Sequence, residues 1–254
     1  MTDPANTIAF QGVPGAYSHM SCKAVKPEME AFACMSFEEM ILAVQEGRAA
    51  LAMVPVENSI AGRVADIHHL LPESGLQIIG EHFQPVNHQL LAPPGATLDG
   101  LVEVHSHAQG LAQCRKRLNR LRLRQMVHPD TAGAAKDVAM WNDMTKGAIA
   151  SALAGEIYGL NVLLANAEDA ERNTTRFLLM SRDAGIPKLD DRAMITTMVF
   201  TLRSVPAALY KALGGFATNG VNLTKLESYM RPGISGSAQF YVDVEGHIES
   251  PAMK

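Results

Sequence analysis

The residues best able to do chemistry stand together at positions 173–177, where the chain reads Asn-Thr-Thr-Arg-Phe. An acidic, unpatterned segment (166–171) precedes them and a strand-like apolar run (177–180) follows. An amide, two hydroxyls and a guanidinium are thereby set at the mouth of a strand. Arginine offers a planar, permanently charged fork that suits carboxylates and phosphates. A threonine hydroxyl beside it has the reach to pass a proton to whatever the arginine holds. The same pentapeptide also reads as ordinary strand entry, with Arg176 one half of a structural ion pair. Both readings stand at this level.

Similar neutral donors recur where strand-like runs give way to helical ones: Tyr17-Ser18, Asn58-Ser59, Ser106-His107, Thr131 and Ser151. In open α/β sheets ligands bind outside the carboxyl ends of the strands, where helix N-termini point N–H groups at an anion. Each of these residues alone reads equally as a helix cap. Ser106 and Gln109 make a capping-box pattern, and Asn58 and Thr131 are caps on the same reasoning. Gln113 lies one turn beyond Gln109, so the two amides would look toward one cleft. His105 and His107 share a strand face with no carboxylate or cysteine in obvious register, and His68-His69 point apart on a helix, so no metal site is expected. There is no phosphate-loop pattern and no Gly-x-Ser-x-Gly elbow, and Gly12-x-x-Gly15 is too slight to indicate a nucleotide. The inventory fits a small anion, a carboxylate, with no cofactor.

The elements that must position these groups follow from the apolar pattern. Strand-like runs at 8–10, 32–35, 51–56, 102–105, 121–128, 147–150 and 162–164 alternate with helical patterns from Ser18, Phe37, Val64, Ala108, Thr131 and Ser151. That alternation predicts parallel sheets with crossover helices. Ser36 and Glu39 form a capping box at one helix start. Runs 78–83 and 88–91 follow one another without a helix, which predicts two lobes, with the chain crossing near 80 and returning near 170. A cleft between lobes is where a small ligand sits. Residues 183–192 read as a linker. Beyond it the order is β-α-β-β, with strands at 194–202, 223–229 and 238–245, a helix carrying Leu209, Ala212, Leu213 and Phe216, and a turn at 231–237.

At 254 residues the chain has room for two domains. A 47% hydrophobic, 19% charged composition is that of a soluble globular protein, and a net charge of −4 gives no global attraction to nucleic acid or anionic membrane. The basic cluster Arg115, Lys116, Arg117, Arg120, Arg122, Arg124 reads as a solvated face, lacking the aromatic residues that nucleic-acid binding would interleave. Cys22, Cys34 and Cys114 have no paired spacing and are expected to be reduced thiols. With a short polar N-terminus and no apolar run of membrane-spanning length, a cytoplasmic location is expected.

Taken in order, Gly15-Ala16-Tyr17-Ser18, Pro55 to Ser59, Ser106-His107-Ala108-Gln109 with Gln113-Cys114, Thr131-Ala132, Ala148 to Ser151 and Asn173 to Phe177 resemble the motifs of prephenate dehydratases, and the C-terminal β-α-β-β resembles an ACT regulatory domain. The resemblance implies a two-lobed catalytic domain (1–184) like periplasmic-binding-protein type II folds, then an α+β, ferredoxin-like ACT domain (193–254). That domain is expected to be truncated, leaving one sheet face bare or covered by a partner subunit in a homodimer or homotetramer. The implied reaction is conversion of prephenate to phenylpyruvate, water and carbon dioxide, without a cofactor. Thr175 would be the acid. Arg176 would bind a carboxylate, Glu57, Asn58, Ser59, Ser106, Gln113, Thr131, Ser151 and Asn173 would line the cleft, and Phe177 would pack near the ring or in the core. Ala207, Ala208, Leu209, Asn222, Leu223, Glu227 and Ser228 would border a phenylalanine effector pocket. The sequence departs from the family where Ala108 replaces a usual proline, where Ala207 replaces the glycine of Gly-Ala-Leu, and where Tyr229-Met230 replaces Arg-Pro. Arogenate dehydratase, and a non-catalytic small-molecule binder or amino-acid sensor, are the alternatives.

Overall fold

The computed structural model describes residues 3–230 and 238–254, and its contacts divide into two units, 1–184 and 185–254. The first unit begins with β1 (Thr7–Gln11), α1 (Tyr17–Val25), β2 (Glu30–Cys34), α2 (Phe37–Gln45), β3 (Leu51–Asn58), β4 (Gly62–Arg63) and α3 (Ala65–Leu70). Local chemistry sets these bounds. Ser36 Oγ accepts the Glu39 N–H at 3.1 Å, the Glu39 carboxylate accepts the Met35 N–H at 2.6 Å, and α2 starts there. The run from Ala52 to Val56 is buried throughout, as a central strand requires.

The chain continues through β5 (Gln77–Pro85), β6 (Gln89–Ala92), β7 (Glu103–Ser106), α4 (Ala108–Gln113), α5 (Arg115–Arg120), β8 (Arg124–Val127), α6 (Thr131–Trp141), β9 (Lys146–Ala150), α7 (Ala152–Tyr158), β10 (Asn161–Leu164) and β11 (Thr174–Ser181). Two sheets result, in the orders β2-β1-β3-β11-β5, with β4 added on β3, and β10-β6-β9-β7-β8. Neither is purely parallel, contrary to the expectation. β11 runs antiparallel to β3 and β5, and β6 runs antiparallel to β9 and β10. These strands enter without a crossover helix, which is what a parallel connection needs. The crossing also comes later than residue 80, because β5 pairs with β11 along its whole length to Pro85.

The first sheet is buried on both sides. Ile8, Phe10, Met53, Phe177 and Leu179 pack with Ala132, Ala134, Ala150 and Ala154 of the second sheet's helices and strands. Ala9, Val54, Val56, Leu178 and Met180 pack on the other side with α2 residues Met40, Ile41 and Val44. The two halves meet closely at Gly15, whose backbone carbonyl accepts the Ser151 hydroxyl at 2.5 Å while the Pro14 carbonyl accepts the Tyr158 hydroxyl at 2.7 Å.

The second unit folds as β12 (Ile195–Thr201), α8 (Ala208–Thr218), β13 (Leu223–Met230) and β14 (Ala238–Glu245), in the antiparallel order β12-β14-β13. The turn expected at 231–237 lies outside the described residues. Phe216 of α8 packs with Met198, Phe200, Val242 and Val244 on one sheet face. Tyr241 and Asp243, which alternate with Val242 and Val244, are 1% and 0% exposed, and Thr197 donates to Asp243 Oδ1 at 2.6 Å. Among the described residues, no helix is long and apolar enough to cross a membrane.

Gly15 is the position where the backbone leaves no choice of residue. Its φ is +93°, and a Cβ there would lie 2.7 Å from Ala154 Cα. A left-handed L-residue and a backbone clash together cost about 2–5 kcal/mol. Gly15→Ala is therefore expected to lower the urea-unfolding stability of residues 1–184 by that amount, and an unchanged midpoint would show that the loop relaxes freely.

Candidate active site

Strand alternation decides which residues share a face around β11. Thr175 lies opposite Asn58 on β3 and Gln84 on β5, and Arg176 lies opposite Glu57 and Phe83. Neighbours along a strand project from opposite faces. A register shift at Arg176/Phe177 skips Val56, and this bulge turns Asn58 to the Thr175 face and Glu57 to the Arg176 face.

On the Thr175 face the polar side chains form one connected network. Asn58 Nδ2 donates to Asn173 Oδ1 at 2.7 Å and to Thr175 Oγ1 at 3.0 Å, with the Thr174 carbonyl at 3.3 Å. Asn58 Oδ1 accepts the backbone N–H groups of Ile60 and Ala61 at 3.0 and 2.8 Å. Asn173 Nδ2 donates to Gln113 Oε1 at 2.9 Å, and the same oxygen lies 2.7 Å from His88 Nε2. The Tyr17 hydroxyl lies 3.0 Å from His88 Nδ1 and 3.0 Å from the Asn87 carbonyl. Glu168 accepts the His88 backbone N–H at 2.7 Å. Burial first of all lowers the His88 pKa below its ordinary 6.5, so the ring is neutral, and burial raises the Tyr17 phenol well above its usual value. Both are neutral hydrogen-bonding groups at physiological pH.

Arg176 takes the ion-pair position, one of its two readings in the sequence. Its side chain is 8% exposed, its Nε donates to Glu81 Oε2 at 2.8 Å, and its Nη1 lies 3.5 Å from Glu57 Oε1. Arg176 and Glu57 are therefore ion-pair partners on the strand face opposite to that of Thr175. Phe177 is 1% exposed among Ile8, Phe10 and Met53, and is a core residue.

Several other expected site residues are engaged with backbone. Ser59 closes the β3–β11 junction, accepting the Thr174 N–H at 3.0 Å. Ser106 is not the cap of α4; it is buried and donates to the Ile149 carbonyl at 2.6 Å, and His107 caps the helix instead. Ser151 does cap α7, accepting the Ala154 N–H at 3.0 Å. Thr131 is the first residue of α6, whose cap is Asp130. Asn58 caps a turn rather than a helix. Gln109 is exposed, so only Gln113 of that pair joins the network. His105 has a carboxylate after all: Glu103, two residues back on the same strand face, lies 3.2 Å away and also holds Arg124 and Lys146. Arg124 foremost holds Glu103 at about 2. Burial pushes the thiols of Cys22 and Cys114 up to about 12 and that of Cys34 to about 11, so all are inert.

In the second unit, Ala207, Ala208 and Leu209 do line a cavity of about 300 Å³, together with Leu202 to Val205, Tyr210, Ala238 and Phe240. Asn222, Leu223, Glu227 and Ser228 are not part of its wall, because β14 separates β13 from β12.

Comparison with known proteins adds to this geometry. A family model described as prephenate dehydratase matches residues 8–185. A bifunctional N-acyl-homoserine lactone acylase/prephenate dehydratase of Komagataeibacter europaeus is 50% identical over 97% of this chain and 88% of that protein. An arogenate dehydratase/prephenate dehydratase of Arabidopsis thaliana is 41% identical over 87% of this chain, which spans only 56% of that protein's length. Among solved structures, GqqA, described as a novel type of quorum quenching acylase, superposes with a TM-score of 0.91 at 50% identity over 97% of this chain and 90% of that one. Prephenate dehydratase from Arthrobacter aurescens in complex with L-Phe gives 0.88 at 30% identity over 97% and 82%.

Removing the Arg176 guanidinium leaves Glu57 and Glu81 without that partner. Arg176→Leu is expected to cost about 2–3 kcal/mol in urea unfolding, below the ~3–5 kcal/mol of a fully buried broken pair because both carboxylates retain solvent. A variant with unchanged stability but lost substrate affinity would place Arg176 in the cleft.

Proposed function

The chain belongs to the prephenate dehydratase family, and on that premise we propose that Thr175 is the proton donor in the conversion of prephenate to phenylpyruvate. The enzyme is a lyase. The bond from the ring to its hydroxyl breaks as that oxygen takes a proton and leaves as water. The bond to the ring carboxylate breaks as well, its electron pair enters the ring, and carbon dioxide departs. Aromatisation provides the driving force, so the protein has to orient the substrate and deliver one proton, which Thr175 regains from solvent.

The observation that carries this reading is the hydrogen bond from Asn58 to Thr175 Oγ1. It occupies the hydroxyl as an acceptor, and among the described residues the Thr175 hydrogen has no protein acceptor. Gln113 joins the same network through Oε1, and among the described residues its amide nitrogen has no protein acceptor. α1 begins at Tyr17, whose N-cap Ala16 supplies no side-chain cap, and the Tyr17 hydroxyl reaches the same network through His88. On this reading Thr175 and Gln113 meet the substrate, and Asn58 and Asn173 support them.

Arogenate differs from prephenate by an amine, and a preference between them is read by comparing turnover of the two. The Komagataeibacter relative favours a second reading, in which the chain also hydrolyses N-acyl-homoserine lactones; release of homoserine lactone by the same preparation tests it.

Thr175→Val keeps the side-chain shape and removes the hydroxyl. Followed by phenylpyruvate absorbance, kcat should fall ~10²–10⁴-fold with little change in KM, and an equal rate would remove Thr175 from the acid role.

We further propose that the second unit is an ACT domain through which phenylalanine regulates a homodimeric or homotetrameric enzyme. The β-α-β-β order, the cavity at Ala207–Leu209 and the L-Phe complex of the Arthrobacter protein support this. Ala207 holds a left-handed φ of +62°, a conformation that costs an alanine ~1–2 kcal/mol. Phenylalanine should release heat in calorimetry, and Ala207→Gly should bind it more tightly. No heat at millimolar phenylalanine would exclude the effector.

A further inference from the structure

We propose that His88 is a positioning residue: through hydrogen bonds of fixed direction it holds Gln113, Asn173 and Asn58 so that the Thr175 hydroxyl hydrogen and the Gln113 amide hydrogens face the substrate. The inference rests on the reading of Thr175 as proton donor, and it reaches two residues, His88 and Tyr17, to which the dehydratase motifs give no role in that step.

The directions follow from the backbone. The N–H groups of Ile60 and Ala61 can only donate, so the Asn58 atom facing them is Oδ1. Asn58 therefore presents Nδ2 to Asn173 and to Thr175. The Asn173 atom that receives this donor is Oδ1, which turns Asn173 Nδ2 toward Gln113. The Gln113 atom that receives it is Oε1, so Gln113 Nε2 points away from the network. One contact to that oxygen remains, from His88 Nε2 at 2.7 Å, and it must carry a hydrogen. A neutral ring protonated at Nε2 is an acceptor at Nδ1, where the Tyr17 hydroxyl lies 3.0 Å away. Every amide orientation and the histidine tautomer are thus determined by two main-chain N–H groups at one end.

The chain also holds in the reverse sense. If His88 Nε2 were an acceptor, Gln113 would turn its nitrogen inward and leave its oxygen facing the substrate carboxylates. The Asn173 amide would have to follow. Asn58, anchored by Ile60 and Ala61, could not, and two N–H groups would oppose each other. Two groups near the ring are compatible with this tautomer: the Tyr17 phenol from α1, which lies 3.0 Å from both Nδ1 and the Asn87 carbonyl, and the Glu168 carboxylate, which accepts the His88 main-chain N–H.

The test uses the full-length enzyme. Nitrogen NMR of ¹⁵N-histidine-labelled protein, with His88 assigned through His88→Gln, should show a neutral ring protonated at Nε2 at pH 7.5; an Nδ1-protonated ring would overturn the proposal. His88→Gln keeps a donor amide near the Nε2 position, and His88→Leu keeps bulk without one. We expect kcat of the leucine variant to be roughly tenfold below that of the glutamine variant, the effect of about one hydrogen bond, at similar KM. Equal kcat values would reduce His88 to packing. Asn58→Asp retains the acceptors for Ile60 and Ala61 but cannot donate, so the Thr175 hydroxyl turns inward and kcat should fall ~10²-fold or more. Wild-type turnover in Asn58→Asp, alongside loss in Thr175→Val, would overturn the proposed direction. Full turnover in Thr175→Val would instead sink the acid assignment, and the NMR tautomer would still decide the direction of the network.

Discussion

Two-residue alternation along β11 is the constraint on which the rest depends. The strand is inserted antiparallel between β3 and β5, so each successive residue must serve an opposite environment. Asn173 and Thr175 go to a polar face, Arg176 to an ion-paired face, Phe177 and Leu178 to two different apolar cores. The bulge at Val56 keeps β3 in step with this demand. Without it Asn58 would be carried to the other side of the sheet and Thr175 would lose the amide that occupies its oxygen. Adjacent residues in the motif therefore serve different environments, Thr175 in the amide network and Arg176 in the ion pairs.

Much of the architecture could be read from the residues because local chemistry enforces it. α6 runs from Thr131 to Trp141 as its apolar stripe predicts, and α2 starts at the Ser36 capping box. The buried run in β3 and the helix-free passage from β5 to β6 are equally legible. What sequence could not supply is strand direction and face. The hydrophobic pattern of β11 is the same whether it enters parallel or antiparallel, and a one-residue bulge leaves no mark on composition. Arg176 consequently reads as a ligand anchor although its partners are Glu57 and Glu81. The Tyr17–His88 contact joins residues far apart in the chain and carries no local signal. The Glu103–His105 pair does carry one, since residues two apart on a strand share a face.

The second unit illustrates the same limit. Its β-α-β-β order and the stripe on α8 are periodic features and visible in the residues. The strand order β12-β14-β13 is not periodic, and it separates Glu227 and Ser228 from the cavity that Ala207 lines. Ala207 itself shows that a residue can tolerate a left-handed backbone where the fold fixes a helix start.

The two connections between the sheets of the first unit have a mechanical consequence. His88 lies where the chain enters the second sheet, and Asn173 where it returns to the first, while Gln113 sits at the end of α4 and receives both. Displacing either connection relative to the other would draw Gln113 away from one of these partners, so the polar junction ties the two sheets together at the point where the chain passes between them.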